Sequence, residues 1–293
     1  MNNVLSVKGL CKSYDQFTLD RISFEVPEGC VVGFIGSNGA GKTTTIQSIM
    51  GLTGPDGGTV EMFGKAIDPK NVPPQVKERI GVVFDTIAFP ADCPIAEVAR
   101  LGKASFENWD DSLFSLRLRD FDLDSKKKVK DLSRGMGMKL QMAFALAHRP
   151  ELLILDEATA GLDPIARGEV LDILRDFMND ESHGILLSSH ITSDLEKIAD
   201  YVVCINDGSM VFSKPMDEVC DIAGIATCRA AEADKIIDCG IFEPGSMRVM
   251  RGGYSTEVLV PDRVALANAF PAIECSRANL EDYMRLTLKG EVR

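Results

Sequence analysis

Short runs of apolar and β-branched residues alternate with amphipathic stretches along most of the chain. Buried strands are predicted where the apolar residues follow one another, at Cys30–Ile35, Ile80–Phe84, Leu152–Leu155, Gly184–Ser188 and Tyr201–Ile205. The amphipathic stretches between these runs predict helices, the first of them from Thr44 to Leu52. Strands that alternate with helices usually pair in parallel, so the pattern predicts an α/β protein with a mainly parallel core sheet.

Two segments of the chain depart from this alternation, and each predicts a smaller part of the fold. Alternating apolar residues in Val4–Tyr14 and Phe17–Val26, with a turn at Asp15-Gln16, predict a β-hairpin, and Val60–Lys65 could add a strand to it. The segment from Pro94 to Pro150 is helical in pattern and polar outside. We therefore expect an antiparallel β-subdomain and a helical insertion in the α/β domain.

The pattern changes again after Pro215. The order strand, helix, a hairpin about Gly252-Gly253, helix from Arg263 to Phe270 and strand at Ile273–Cys275 would suit a small ferredoxin-like α+β appendage. A last helix is predicted from Leu280 to Leu288. The chain would then divide into a domain at 1–215 and an accessory domain at 216–293.

Composition limits the classes of function. The 293 residues carry a formal net charge of −12, which argues against a broad nucleic-acid footprint because such surfaces need clustered Lys and Arg. No apolar run approaches the roughly 18 residues of a membrane span, and the first residues lack a signal-peptide pattern, so we expect a cytoplasmic protein. The eight cysteines include no C-x-x-C pair and are interpreted as reduced core residues.

A glycine-rich loop between the first predicted buried strand and the first helix has the spacing of a phosphate-binding loop. Glycines let successive backbone N–H groups and a helix N-terminus point at a phosphate, and the alternative is a glycine-rich turn without a ligand. Lys42 can reach the β- and γ-oxygens, and the Thr43 hydroxyl can bind Mg²⁺. The candidate nucleotide-binding residues are Gly36, Ser37, Asn38, Gly39, Ala40, Gly41, Lys42, Thr43 and Thr44.

Two carboxylates, Asp156 and Glu157, follow the apolar strand Leu152–Leu155. Ligands bind at the carboxyl ends of strands in open α/β sheets, although such a pair could also be a simple surface turn. Asp156 would hold Mg²⁺, and Glu157 could orient or deprotonate the water that attacks the γ-phosphate.

The stretch Leu132-Ser133-Arg134-Gly135-Met136 precedes a predicted helix, and Ser133 alone could be only its N-cap. The order of the phosphate loop, this stretch and the strand with its two carboxylates resembles the ATP-binding subunits of ABC transporters. The resemblance covers about residues 4 to 215. It implies a second ATP-binding subunit, because Ser133 and the N–H of Gly135 would close on the γ-phosphate bound by that partner.

Three more positions carry the resemblance. Tyr14 resembles the aromatic residue that stacks on adenine, although it could be an ordinary half-buried aromatic. Asp163, after Ala160-Gly161-Leu162, resembles the loop residue that communicates with the opposite site. His190 resembles the switch histidine that hydrogen-bonds the γ-phosphate, while His148 and His183 belong to no motif.

Some positions depart from the family pattern. Asp85 stands where the family usually has Gln, which senses Mg²⁺ and the membrane partner; a carboxylate can still approach the metal. Arg134, Met136 and Ala158 stand where Gly, Gln and Pro are typical. Such variants, and the ending Asn279–Tyr283, are similar to exporter-type bacterial cassettes, including those for antibiotics.

The resemblance therefore implies an ATPase, with Glu157, His190 and Lys42 as catalytic residues, that drives a separate membrane permease of an exporter. Two alternatives are an ATP-driven soluble switch and an ATP-sensing module that hardly hydrolyses. Cassettes on ribosomes usually carry two cassettes in one chain and those in DNA repair carry long coiled coils, and neither feature is present here.

Overall fold

A computed structural model describes residues 2–293. Within that range the larger of two sheets has ten strands, which are β1 (Asn3–Tyr14), β2 (Phe17–Pro27), β3 (Val31–Ile35), β4 (Gly57–Met62), β5 (Lys65–Ile67), β6 (Ile80–Val83), β7 (Leu152–Asp156), β8 (Gly184–Ser189), β9 (Tyr201–Asn206) and β10 (Ser209–Pro215). Their order across the sheet is β5-β4-β1-β2-β10-β9-β3-β8-β7-β6.

The centre of this sheet is parallel. β3 lies between β8 and β9, and β8 in turn pairs with β7, which pairs with β6. Every residue of β3, β7 and β8 is buried, as expected for strands with both faces covered. By contrast β1, β2, β4 and β5 pair antiparallel, so the predicted α/β class, a parallel P-loop NTPase core with an antiparallel β-subdomain, is confirmed.

Helices cover both faces of the large sheet. They are α1 (Lys42–Ile49), α2 (Pro74–Lys77), α3 (Ile95–Ser105), α4 (Asp111–Asp120), α5 (Arg134–Leu146), α6 (Pro164–Phe177) and α7 (Thr192–Leu195). Three of them, α3 to α5, make up the helical insertion. Helix α1 begins at Lys42, before the predicted Thr44, and ends at Ile49, before the predicted Leu52. It ends early because Leu52 and Thr53 both donate their N–H groups to the carbonyl of Gln47 and turn the chain away.

Two apolar cores lie on opposite faces of the large sheet. Alternate residues of β3 enter different cores, since Val31 and Ile35 pack with the helical insertion whereas Val32 and Phe34 pack with α1 and the antiparallel strands. This period of two is the one expected of a strand that is covered on both sides. Among the described residues, no helix is long and apolar enough to cross a membrane.

The C-terminal part forms its own sheet of five strands among the described residues. They are β11 (Gly224–Cys228), β12 (Arg248–Arg251), β13 (Thr256–Val260), β14 (Cys275–Arg277) and β15 (Glu291–Val292), and the helices are α8 (Ala230–Asp238), α9 (Arg263–Ala269) and α10 (Leu280–Lys289). The sheet order is β14-β11-β13-β12-β15 and every pair is antiparallel. From β11 to β14 the elements follow the order βαββαβ of a ferredoxin-like unit.

One strand of this sheet lies later in the chain than predicted. The strand expected at Ile273–Cys275 is β14, because Cys275 to Arg277 pair with Ala226 to Gly224 of β11. The division of the chain at 215/216 stays a prediction.

Helix α10 lies between the two sheets. Leu280, at its start, is fully buried in the core beside the large sheet, while Leu286 packs against the C-terminal sheet. The ring of Tyr283 meets that of Phe212 on β10 edge-on, with the centroids 5.2 Å apart. The helix therefore ties the second sheet to the first by apolar packing.

We expect Leu280→Ala to lower the free energy of unfolding by about 2–5 kcal/mol, because it removes a fully buried side chain and leaves a cavity. Urea denaturation would measure the loss. Leu288→Ala, on the same helix but 38% exposed, is the matched control and should cost clearly less. Equal losses in the two variants would contradict the packing role of Leu280.

Candidate functional site

The glycine-rich loop fills the turn between the end of β3 and the start of α1. Gly41, the residue before α1, has φ 110°, a left-handed conformation that glycine adopts readily. At Gly36 a side chain has no room, since its Cβ would lie 2.9 Å from that of Ala40 and would collide with the carbonyl of Ile205. The sequence thus allows the tight backbone curve that an anion cradle needs.

Lys42 is the buried cation of the loop. Its Nζ donates to the carbonyl of Gly36 at 2.7 Å and to that of Ser37 at 3.3 Å, and it lies 3.1 Å from Oε1 of Glu157. A buried ammonium group needs such partners, because removing it from water unpaired is costly. The loop therefore holds a positive charge at the N-terminus of α1.

The two carboxylates lie where β7 ends, and β8 positions both. Asp156 is buried and accepts a hydrogen bond of 2.6 Å from the Ser188 hydroxyl. The N–H of Glu157 is shared between the Ser188 hydroxyl and carbonyl, each at 3.1 Å. Glu157 has φ 52°, a left-handed backbone conformation that residues other than glycine adopt infrequently.

His190 completes a chain of contacts through Glu157. Its Nδ1 lies 2.6 Å from Oε2 of Glu157, and its backbone N–H donates to the same oxygen at 3.3 Å. An ionised carboxylate only accepts, so the proton of this bond belongs to the imidazole, and Nε2 is left to face other groups. Glu157 is thus held between a lysine on one oxygen and a histidine on the other.

Lys42, Glu157 and His190 line one cavity of about 550 Å³ at the carboxyl edge of the parallel strands. Such an edge is where open α/β sheets bind ligands. Its lining residues are Phe17, Ser37, Asn38, Gly39, Gly41, Lys42, Thr43, Thr44, Asp85, Glu157, Ala160 and His190.

Asp85 lines this cavity, and the backbone of its neighbour Phe84 is held by α5. The buried side-chain amide of Gln141 accepts from the N–H of Phe84 at 3.4 Å and donates to its carbonyl at 3.1 Å. Thr43 is likewise exposed to the cavity, whereas Thr45 turns inward and donates to the carbonyl of Gly41. Hydroxyl and carboxylate oxygens suited to a hard cation therefore border the phosphate loop.

Seven predicted site residues do not line the cavity. Gly36, Ala40 and Asp156 are buried in the loop and strand that border it, and the other four are Tyr14, Ser133, Gly135 and Asp163. Tyr14 is 47% exposed, and the Nζ of Lys12 lies 5.5 Å from its ring centroid. Ser133 accepts from the N–H of Met136 as the N-cap of α5. Gly135 lies in the first turn of that helix.

Asp163 is the N-cap of α6. It accepts hydrogen bonds from the N–H groups of Ala166 and Ile165, which lower the pKa of its carboxyl. Asp163, which the family resemblance assigns to contact with the opposite site, therefore has hydrogen-bond partners within its own chain.

Phe17 lines the cavity although the sequence did not single it out. It begins β2 and pairs across the hairpin with Tyr14, and its ring lies against Gly41. The sequence signal that could have identified Phe17 was its position opposite Tyr14, across the Asp15-Gln16 turn.

Comparisons with known proteins agree with this geometry. Residues 19–160 match the model of the ABC transporter family. The bacitracin transport ATP-binding protein BcrA of Enterococcus faecalis is 28% identical, over 99% of this chain and 98% of that protein. The Nod factor export ATP-binding protein I of Cupriavidus metallidurans is 32% identical, over 75% of this chain and 74% of that protein. The solved structure of an ABC transporter ATP-binding subunit superposes with a TM-score of 0.66 at 28% identity, over 74% of this chain and 91% of that structure.

We expect Lys42→Ala to weaken ATP binding roughly ten- to a hundredfold, the loss typical of a hydrogen bond to a charged group. Isothermal titration calorimetry would measure the affinity. Lys139→Ala is the matched control, since Lys139 also contacts a carboxylate, that of Glu169 at 2.6 Å, but lies outside the cavity. Wild-type affinity in Lys42→Ala would contradict the assignment of the loop.

Proposed function

The chain belongs to the ABC transporter family as an ATP-binding subunit, and on that premise we propose that it shares MgATP with a second such subunit and drives a separate membrane permease. Its enzymatic activity is that of an ATPase. The observation that carries the proposal is the contact chain from Lys42 through Glu157 to His190 at the mouth of the phosphate loop.

The phosphate loop binds the triphosphate. Backbone N–H groups from Gly36 to Thr43 and the N-terminus of α1 face the β-phosphate, where the helix dipole favours negative charge. Lys42 turns its ammonium from the loop carbonyls towards the β- and γ-oxygens, which it reaches without leaving the cavity. These contacts place the γ-phosphorus at the carboxyl edge of β7 and β8.

Glu157 acts on the attacking water. Its carboxylate accepts a proton as the water oxygen bonds to the γ-phosphorus and the bond to the β-bridging oxygen breaks, which releases ADP and phosphate. His190 keeps this carboxylate in place through Nδ1 and offers Nε2 to a γ-phosphate oxygen. Most of the rate gain then comes from positioning and charge neutralisation.

The residues at the loop fit a Mg²⁺ ion that arrives with ATP. Magnesium keeps several waters and takes one or two carboxylates together with substrate phosphates, so a dense cluster of ligands is not required. The exposed Thr43 hydroxyl, the buried Asp156 and the cavity-lining Asp85 are the donors available. The ion, when bound, neutralises charge on the β- and γ-phosphates.

A second ATP-binding subunit completes each site. The family resemblance assigns Ser133, Gly135 and Asp163 to the nucleotide of a partner, and none of the three lines the cavity of its own chain. Ser133 and Gly135 begin α5, whose N-terminus attracts an anion. The partner carries the same elements, so two chains meet head to tail around two nucleotides.

Adenine binds beside the hairpin of β1 and β2. Both Tyr14 and Phe17 lie at its end, and a flat aromatic ring stacks well on a base. Tyr14 remains our candidate for the stacking residue, with Phe17 closing the cavity beneath it.

The permease partner places the protein at a membrane. Bacitracin transport and Nod factor export appear in the names of its relatives, which supports export of a small molecule. We infer a cytoplasmic location on the inner face of the cell membrane, with residues 1–215 as the ATP-binding domain, 94–150 as its helical insertion and 216–293 as the accessory domain.

Glu157→Gln should keep ATP affinity but lower turnover at least about a hundredfold, because the amide cannot accept the proton of the water. Because ATP then stays bound, light scattering of Glu157→Gln with ATP should show twice the mass of the monomer. Glu169→Gln is the matched control, since Glu169 also contacts a lysine, Lys139 at 2.6 Å, but lies outside the cavity. Unchanged turnover would refute Glu157 as base, and a persistent monomer would refute the shared site.

Coupling to a permease has a separate test in the cells that make the protein. Most of the full-length chain should sediment with washed membranes, and deletion of a neighbouring gene for a polytopic membrane protein should release it to the supernatant. Restoring that gene is the control. A chain that stays in the supernatant whether or not the gene is present would contradict the permease assignment.

A further inference from the structure

A carboxylate outside the cavity is buried close to the switch histidine. Asp194 lies four residues after His190, within α7, and is 0% exposed. Neither of its side-chain oxygens has a hydrogen-bond partner in the part of the chain that the structure describes. Burial of a charged group without hydrogen bonds is expensive, so the carboxylate needs a cation close by.

The nearest cation is Arg167 on α6. Its Nε lies 3.6 Å from Oδ2 of Asp194, and its Nη2 donates to the carbonyl of Leu162 at 3.3 Å. Leu162 belongs to the loop between Glu157 and Asp163. One guanidinium group therefore contacts both the helix that follows His190 and the loop that follows Glu157.

The same loop contacts the start of α5. A Cβ built on Gly161 would lie 3.2 Å from Cζ of Arg134, so the Arg134 guanidinium packs on this glycine. Arg134 separates Ser133 from Gly135. A continuous set of contacts thus runs from α7 through Arg167 and the 158–163 loop to the residues that face the partner's nucleotide.

Helix α7 has few means of fixing its own position. It spans four residues, and its N-cap Ile191 makes no side-chain capping bond. So short a helix is not stable alone and depends on tertiary contacts. Asp194 and Leu195 are its buried side chains, which makes the pairing with Arg167 the polar part of that anchorage.

We propose that Asp194 and Arg167 are positioning residues for ATP hydrolysis, which hold His190 against Glu157 and link it to the 158–163 loop. The inference rests on the proposed roles of Glu157 and His190. The pair touches neither nucleotide nor water and acts by keeping the Nδ1 of His190 within reach of the Glu157 carboxylate.

The first test is Asp194→Asn, which keeps the shape of the side chain and removes its charge. We expect kcat to fall about tenfold while KM and the calorimetric affinity for ATP stay within about twofold, a size typical of residues that couple sites indirectly. Asp172→Asn is the control, since Asp172 pairs with Arg175 on the exposed face of α6. An unchanged kcat in Asp194→Asn would overturn the proposal.

A double variant, Asp194→Leu with Arg167→Met, separates positioning from stability. Apolar replacement of a buried ion pair often preserves the fold, so urea denaturation should give nearly wild-type stability. We expect kcat to remain low in this variant because the link to the Leu162 carbonyl is gone. Recovery of wild-type kcat together with stability would show that the pair only supports the fold.

An NMR measurement tests the proposal independently of turnover. The chain has three histidines, so ¹⁵N-labelled imidazole signals can be assigned by substitution. In Asp194→Asn the His190 signal should move away from that of an Nδ1–H bonded to a carboxylate, whereas His148 and His183 should not change. An unmoved His190 signal would refute the positioning role even if the permease assignment failed.

Discussion

The ion pair between Lys42 and Glu157 is the contact on which the rest of the site depends. It joins the loop after β3 to the end of β7, two strands that flank β8. Strand β8 supplies Ser188, whose hydroxyl donates to the Asp156 carboxylate and accepts from the backbone N–H of Glu157. In the proposed mechanism, phosphate oxygens compete with Glu157 for the same ammonium group. Once Lys42 turns to phosphate in that mechanism, Glu157 keeps only its histidine partner and is the more available base, so binding and activation of water are linked through one charge.

Much of this arrangement could be predicted from local sequence. The buried strands before Gly36 and Asp156 are continuous apolar runs, and a strand that ends in a glycine loop or a carboxylate pair sends those groups to one edge of a parallel sheet. The order of strands and helices in the C-terminal part was also predictable, because it depends on the local pattern of apolar residues. Local patterns therefore predict the parts of the site that are made of neighbouring residues.

Contacts between distant segments were not predictable. Nothing in the run Val31–Ile35 indicates that β3 lies between β8 and β9, because strand order depends on packing over more than a hundred residues. Phe17 lines the cavity only because of the twist and register of its hairpin. Asp194 is an ordinary polar residue in sequence, and only the docking of a four-residue helix buries it.

The segment after β8 also explains how the second sheet is attached. Glu196, directly after α7, accepts the N–H of Leu280 at 2.7 Å, and Leu280 is itself buried in the core beside the large sheet. The N-terminus of α10 thus gains an acidic partner while its first side chain is removed from water. Because α7 meets Arg167 on one side and α10 on the other, displacement of α10 would disturb the segment that carries His190. The helix that anchors the C-terminal sheet therefore also contacts the segment that follows His190.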